Sequence, residues 1–217
     1  MKNSQFSSHH RDKKGFTVLE LMVGIVVFTL GFLGAYFLVD SASNASIRSR
    51  DEIIGANIMR EQIELLKNLR DTNWVQFRSW NSIALAKSPT ELDKTLQTNN
   101  YYIVTNNFNT NKTIHIEKLS SFSLSKEIIT QEFQKINSPI RLYIDTLGRY
   151  SHECTNTNEK TNFASFVHIT PLTTTNIQTA TSIPVDRSYK VEVFFVSFNK
   201  GYRISSMSTI ITDWKNQ

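Results

Sequence analysis

The chain has 217 residues, enough for one globular domain plus a membrane segment, and its 40% hydrophobic and 20% charged residues favour a folded core over disorder. The net charge of +5 lies mostly in residues 1–15; the remainder holds 20 basic and 18 acidic residues, or +2, which leaves no basic stripe to follow a phosphate backbone and argues against nucleic-acid binding. The single cysteine, Cys154, excludes an intrachain disulfide and a cysteine-based metal site.

An apolar segment begins near the N-terminus. Leu21 to Val39 contains no charge and one clearly polar residue, Thr29. With Phe16 to Glu20 added, it would form a helix of about 36 Å at ~1.5 Å per residue, while the hydrocarbon core of a bilayer is about 30 Å thick. The rest of the chain is too small to bury such a helix. The sequence therefore predicts a single membrane-spanning helix.

The charges beside this segment predict its orientation. Basic residues cluster before it, and the first one after it is Arg48. The positive-inside rule places the N-terminus in the cytoplasm and everything after Val39 outside. A cleaved signal peptide is the nearest alternative, since Ser41, Ala42 and Ser43 would suit a signal peptidase. Its apolar core is usually ~7–15 residues, however, and this one is longer.

One carboxylate, Glu20, lies near the start of the apolar segment. A carboxylate at membrane depth costs on the order of 2.5–3.5 kcal/mol on insertion scales, so Glu20 is a functional candidate. The alternative is that Glu20 lies near the interface and its side chain reaches water at little cost.

The residues around Glu20 form a specific motif. The stretch GFTVLELMV, from Gly15 to Val23, follows two lysines and opens the apolar helix. It resembles the class III signal of type IV prepilins and pseudopilins, in which a basic leader precedes a glycine, a phenylalanine and a glutamate five residues beyond the glycine. The resemblance is close over residues 11–40 and extends to the rest of the chain only in architecture.

The resemblance implies roles for these residues. A prepilin peptidase would recognise the leader with Lys13 and Lys14, cut after Gly15 and methylate the new terminus at Phe16. The carboxylate of Glu20 would neutralise the α-ammonium of a neighbouring subunit, because pairing removes much of the penalty that each charge meets in hydrocarbon. The implied partners are this peptidase and methyltransferase, other pilin subunits through the N-terminal helix, the inner-membrane assembly platform and, before assembly, membrane lipid.

The helix of this chain differs from many in that family because Phe16–Val39 contains no proline. Gly24, Gly31 and Gly34 are its only weak helix formers, each costing roughly 1 kcal/mol relative to alanine. They could mark a soft turn, but we interpret them as positions of close helix–helix packing.

The helix is predicted to continue to about Asn73. A hydrophobic stripe repeats at intervals of seven and four, and neighbouring apolar residues widen it. The stripe consists of Ile47, Ile54, Ile58, Leu65 and Leu69, widened by Ile53, Ile63 and Leu66. The heptad run is short and broad, which favours packing on a sheet over a coiled coil.

Strand patterns dominate the second half of the chain. The strand-like segments are YYIVT (Tyr101–Thr105), TIHIE (Thr113–Glu117) and FASFVHI (Phe163–Ile169), and two hairpins are predicted around Gly148 (141–153) and Gly201 (190–206). In the second hairpin, Val191, Val193 and Phe195 face one side and Phe194, Val196 and Phe198 face the other, which predicts a central strand.

Local signals predict the structure of four further segments. Ser88 to Glu91 is typical of a helix start, and that short helix would run to about Leu96. TNTNEKTN (155–162) and TPLTTTNIQTATS (170–182) are loop-like, and KEIITQEFQK (126–135) is compatible with either helix or strand.

The exported part offers few groups for chemistry. His152 and Cys154 would share a face on a strand, but two ligands do not make a metal site, so we expect no metal and no cofactor. The sequence contains neither a phosphate-binding glycine loop nor a Gly-x-Ser-x-Gly elbow, so no enzymatic activity and no small-molecule substrate are expected. Trp74, Phe77 and Trp80 could form a binding patch, but covering the join between helix and sheet is the favoured interpretation.

Together these features predict an α+β, pilin-like fold. Its parts are a leader (1–15), a transmembrane and assembly helix (16–40), an amphipathic continuation (41–74) and an exported β-rich head (75–217). The expected function is that of a minor structural subunit of a type IV pilus or a type II secretion-like filament, first in the inner membrane and then periplasmic or extracellular. The alternative is a membrane-anchored binding module, an adhesin or DNA-capture protein, that does not assemble.

Overall fold

A computed structural model describes residues 17–83, 95–106, 114–155, 157–175 and 182–214. The elements in chain order are α1 (Val18–Val75), β1 (Asn100–Asn106), β2 (Ile114–Leu119), α2 (Lys126–Gln134), β3 (Arg141–Ile144), β4 (Tyr150–Ser151), β5 (Glu159–Thr175), β6 (Ser182–Ser197) and β7 (Arg203–Thr212). A long N-terminal helix and an antiparallel sheet confirm the predicted α+β class.

The chain divides into two compact units, Met1–Ser49 and Arg50–Gln217. The first, described from Thr17 onward, is a single stretch of helix whose surface is almost wholly exposed. The second, called the head unit below, contains the remainder of α1, helix α2 and the whole sheet.

The sheet of the head unit is organised around β5. β6 pairs along one side of β5, and β1 and β3 pair with successive parts of the other side. β2, β4 and β7 lie outside β1, β3 and β6, respectively, and every pairing is antiparallel. Both predicted hairpins are present, and Gly148 and Gly201 adopt positive φ values of 79° and 114° in their turns, a backbone region that glycine enters without steric cost.

Strand β6 separates two hydrophobic cores. Val191, Val193 and Phe195 belong to the core on the α1 side, whereas Phe194 and Val196 belong to the core on the α2 side. The predicted alternation and the central position of this strand are both confirmed, since β6 pairs with β5 and β7. A strand buried on both faces shows apolar residues at every position rather than at every second one.

The part of α1 from Arg50 to Val75 packs on the sheet, as predicted. Ile58, Ile63, Leu66 and Leu69 are buried in the α1-side core, but Ile53 is 61% exposed, so its place in the stripe was wrong. The buried face of α1 is centred on a line of positions that includes polar and small residues. Those residues are Asp51, Gly55, Gln62 and Asn73.

Helix α1 ends at Val75, close to the predicted stop. The amide of Asn73 donates from Nδ2 to the carbonyl oxygens of Trp80 and Ser82 at 3.3 and 2.7 Å, which fixes the turn after the helix. Trp74 is buried and the Trp80 ring packs 4.8 Å from that of Tyr189, as expected of residues that cover the helix–sheet join. Phe77 contradicts that interpretation, because its side chain is 96% exposed.

Several local assignments are changed by the structure. Of the segment 170–182, predicted as a loop, residues 170–175 form the end of β5 and Ser182 begins β6, and of the loop predicted over 155–162, residues 159–162 form the beginning of β5. The ambiguous segment 126–135 forms α2, whose N-cap Ser125 accepts a hydrogen bond from the Ile128 amide. Most of the short helix predicted from Ser88 lies outside the described residues.

Candidate functional site

The described part of the motif begins with the N-cap of α1. The hydroxyl oxygen of Thr17 accepts from the Glu20 amide at 3.3 Å, and the Thr17 carbonyl accepts from the Leu21 amide at 3.1 Å. Thr-x-x-Glu is the sequence form of a capping box, and the structure contains one of its two hydrogen bonds. Sequence reasoning missed the role of Thr17, although this spacing was available to find it.

Glu20 lies in the first turn of α1 and is exposed. The first turn carries the positive end of the helix dipole, which favours a carboxylate there. Lys13, Lys14, Gly15 and Phe16, the other predicted processing residues, lie outside the described residues.

The first half of α1 presents an apolar surface that no other described residue covers. Its large hydrophobic side chains from Val18 to Val39 are between 45% and 77% exposed. A window of 18 residues has a mean hydropathy of 2.3, and none of it is buried. The hydroxyl of Thr29 donates to the Ile25 carbonyl at 2.7 Å, which satisfies the polar group of this segment without water. Such a surface suits lipid or other apolar helices.

The three glycines of this half have open space around them. A Cβ atom at Gly24, Gly31 or Gly34 would meet no heavy atom within 4 Å. No contact among the described residues therefore requires glycine at these positions. Their predicted role in packing against other helices stays a prediction.

Asp51 attaches the head-unit part of α1 to the turn that follows β6. Its side chain is 5% exposed, and Oδ2 accepts from Ser197 Oγ and from Asn199 Nδ2, both at 2.9 Å. Hydrogen bonds to a charged acceptor are roughly twice as strong as those between neutral groups. The carboxylate thus fixes the helix to the end of the central strand.

Gln62 makes the second polar attachment. Its Oε1 accepts from Ser165 Oγ at 2.9 Å, and its Nε2 lies 3.4 Å from Nε2 of His152. Burial lowers the pKa of His152 from 6.5 to about 4, although the carbonyl groups of Arg141 and Pro139 oppose the shift. A neutral imidazole can accept the hydrogen bond from Gln62, whereas an imidazolium cannot.

The remaining ligand-type side chains do not converge. His152 takes part in the Gln62 network, whereas Cys154 is exposed and its Sγ lies 3.8 Å from Asn137 Oδ1. Across the described ranges, no group of three or more His, Cys, Asp or Glu side chains could hold a metal ion. A cleft of about 390 Å³ between α1 and the β3–β4 turn has an apolar floor from Ile54 and Ile58 and one carboxylate, Glu61.

Part of the chain matches a known family model. Residues 10–36 match the model of the prokaryotic N-terminal methylation motif. No curated protein and no solved structure matches the chain. The matched segment contains Gly15, Phe16 and Glu20 and continues into the apolar half of α1. This motif, together with the long apolar helix that follows it, supports the identification of the chain as a type IV prepilin-like protein.

Proposed function

We propose that the chain is a minor structural subunit, without enzymatic activity, of a type IV pilus or a type II secretion-like filament. It is inserted as a single-pass membrane protein with its N-terminus in the cytoplasm. A prepilin peptidase cuts it after Gly15 and methylates Phe16. The mature chain then leaves the bilayer to join the filament through its N-terminal helix.

The observation that carries this proposal is the pairing of a matched methylation motif with an uncovered apolar helix. Residues 10–36 carry the motif, and the large apolar side chains of α1 from Val18 to Val39 are all at least 45% exposed among the described residues. A polymer would cover this surface with the same segment of other subunits, whereas a monomer needs lipid.

Glu20 gives the assembly its register. A carboxylate and an α-ammonium are each penalised in hydrocarbon, and each loses much of that penalty when the two meet. If cleavage exposes the amine of Phe16, the acid of one subunit can pair only with the terminus of another that is correctly placed along the filament. The position of Glu20 at the helix start leaves its side chain available for that contact.

Mass spectrometry of the mature N-terminus tests the proposal. An N-methylated Phe16 is the expected terminus, in membranes and in sheared filaments alike. An intact Met1, or a cut near Ser43, would instead favour a tethered binding module that does not assemble. Detection of the chain in purified filaments supplies the second readout, because processing alone does not demonstrate incorporation.

A further inference from the structure

Strand β7 forms one outer edge of the head sheet. It pairs with β6 without interruption from Arg203 to Thr212, and no other described strand lies beside it. An edge strand of this length exposes a row of unpaired backbone groups that can add a further strand.

The other free edges of the sheet carry features that discourage pairing. β2 has charged or ionisable side chains at His115, Glu117 and Lys118, and β4 is only two residues long. The protruding ends of β5 and β6, which have no second neighbour among the described residues, contain Pro171 and Pro184. Charged side chains, short strands and proline are the usual means of protecting an edge.

β7 has none of these protections. It contains no proline, lysine or acidic residue, and its one charge, Arg203, is at the first position. Its pairing with β6 has no bulge to twist the edge away. Ile204 and Ile210 are 39% and 54% exposed, so apolar side chains flank the open edge.

The hydrogen-bond pattern shows which groups point outward. The Asp213 amide donates to the Arg187 carbonyl at 3.0 Å, in register with the β6–β7 pairs, so the odd-numbered residues of β7 bond to β6. The Phe198 amide donates to the Asn162 carbonyl at 2.8 Å, so the even-numbered residues of β6 bond to β5. The odd-numbered residues of β6 are then the ones that bond to β7, in agreement with the Asp213 hydrogen bond. The outward N–H and C=O groups belong to Ile204, Ser206, Ser208, Ile210 and Thr212.

We infer that β7 is the docking edge for an extended, uncharged segment of a different subunit of the filament. Beyond Arg203 at its first position, β7 offers an added strand only serine, threonine, methionine and isoleucine side chains, so a charge opposite that part of β7 would find no opposite charge. A partner segment of about five or more residues with hydroxyl and β-branched side chains fits this edge.

A second copy of the chain does not fit the same edge in a filament. Among the described strands, the only unprotected edge it could offer is its own β7, and two β7 strands would pair antiparallel about a two-fold axis perpendicular to the sheet. The part of α1 from Arg50 to Val75 lies on one face of the sheet, so that axis would reverse its direction in the partner. Neighbours in a polar filament run in the same direction, which leaves a non-identical subunit as the source of the strand.

This inference rests on the proposed filament function, and hydrogen exchange separates the two. Exchange is measured on the full mature chain, first in detergent and then in filaments isolated from cells that produce it. We expect the five outward amides of β7 to exchange about tenfold or more slowly in filaments than in the free chain. The inward amides of Met207 and Thr209 are the internal control, protected in both states.

A photocross-linker placed at Ser208 identifies the strand that covers the edge. Cross-links to an extended segment of another filament subunit support the inference. Cross-links between β7 strands of two copies, or outward amides that stay unprotected in filaments containing the chain, overturn it while the proposed function stands. Absence of the chain from filaments overturns both.

Two substitutions at one position give a matched test. Ser208→Pro removes an outward N–H without touching the β6–β7 ladder, and we expect it to lower the abundance of the chain in filaments by about tenfold. Ser208→Thr keeps the N–H and should leave the abundance within about twofold. Equal abundance of both variants, with unchanged tryptophan fluorescence, would contradict docking at this edge.

Discussion

Gly55 of α1 lies directly against the ring of Phe195 in β6. A Cβ atom at residue 55 would stand 2.4 Å from Phe195 Cδ1, whereas carbon atoms in ordinary contact are about 3.5–4.0 Å apart. The absence of a side chain at Gly55 therefore sets the distance between the helix and the central strand. Phe195 is 3% exposed, so its ring has little room to move.

We predict that Gly55→Ala destabilises the head unit. Alanine gains about 1 kcal/mol of helix propensity, but overpacking a filled core costs about 1–3 kcal/mol, so a net loss of about 1 kcal/mol in the free energy of unfolding is expected. Guanidinium unfolding of the full chain in detergent, followed by tryptophan fluorescence, measures it. Gly31→Ala on the same helix is the control, because open space surrounds Gly31. A stabilised Gly55→Ala variant would show that Phe195 and the sheet can shift to accommodate the added methyl group.

Asp51 provides a second prediction about the same contact between helix and sheet. Asp51→Ala leaves the Ser197 hydroxyl and the Asn199 amide without their shared acceptor, and hydrogen bonds to a charged group contribute about 1.5–3 kcal/mol each. We expect the free energy of unfolding to fall by about 3 kcal/mol, with faster hydrogen exchange in the β6–β7 turn. Glu52→Ala, at the exposed neighbouring position, should change the free energy of unfolding by less than about 0.5 kcal/mol. Equal effects at the two positions would refute the role of Asp51.

The pattern of apolar residues predicted the architecture of the head well. Val191 to Phe198 alternate between two apolar sets, which is the mark of a central strand, and Gly148 and Gly201 were the turn residues that the hairpins required. These features depend on side-chain size and backbone freedom, which are properties of single residues and can be read from a sequence.

The polar contacts between α1 and the sheet could not be predicted in the same way. Hydrophobic periodicity counts apolar residues only, so it included Ile53, which is exposed, and passed over Asp51 and Gln62, which are buried. Their partners, Ser197 and Ser165, are more than 100 positions away in sequence. Burial of a polar group depends on a partner that only the tertiary structure supplies.

Local composition also misled the assignment of one strand. Thr173 and Thr174 look like loop residues beside Asn176, yet threonine is also a strong strand former. They extend β5 because Pro184 and Ile183 of β6 lie opposite them. For the N-terminal site, Gly15, Phe16 and Glu20 lie within the segment that matches the methylation motif, and their predicted roles stay predictions, because they involve molecules other than this chain.

His152 makes stability depend on pH. Its pKa is lowered to about 4 in the folded chain from an ordinary value of 6.5, so the unfolded chain binds this proton at a higher pH than the folded chain does. The stabilising contribution is complete above pH 6.5 and is lost as the pH falls from 6.5 through 4. The shift corresponds to on the order of 3 kcal/mol at its full extent.

The difference between wild type and His152→Gln isolates this contribution from the carboxylates that titrate in the same range. We expect the wild type to lose stability more steeply than the variant between pH 6.5 and 4, as measured by urea unfolding at several pH values. Parallel curves would show that the imidazole is already accessible to protons in the folded chain.

Glu20 carries the most direct test of assembly. In Glu20→Ala the carboxylate is gone and the α-ammonium of a neighbour stays unpaired in hydrocarbon, at a cost on the order of 2.5–3.5 kcal/mol, so incorporation into filaments should fall by about tenfold or more. Membrane insertion should be unchanged, because the apolar segment from Leu21 to Val39 is intact.

Two further variants are the controls for this prediction. Glu20→Gln should behave like Glu20→Ala, since an amide of the same size cannot neutralise an ammonium. Glu52→Gln, at an exposed position of the same helix, should assemble normally. The measurement is quantitative immunoblotting of the chain in membranes and in sheared filaments. Normal abundance of Glu20→Ala in filaments would show that assembly does not need the carboxylate, and the electrostatic account of register would fail.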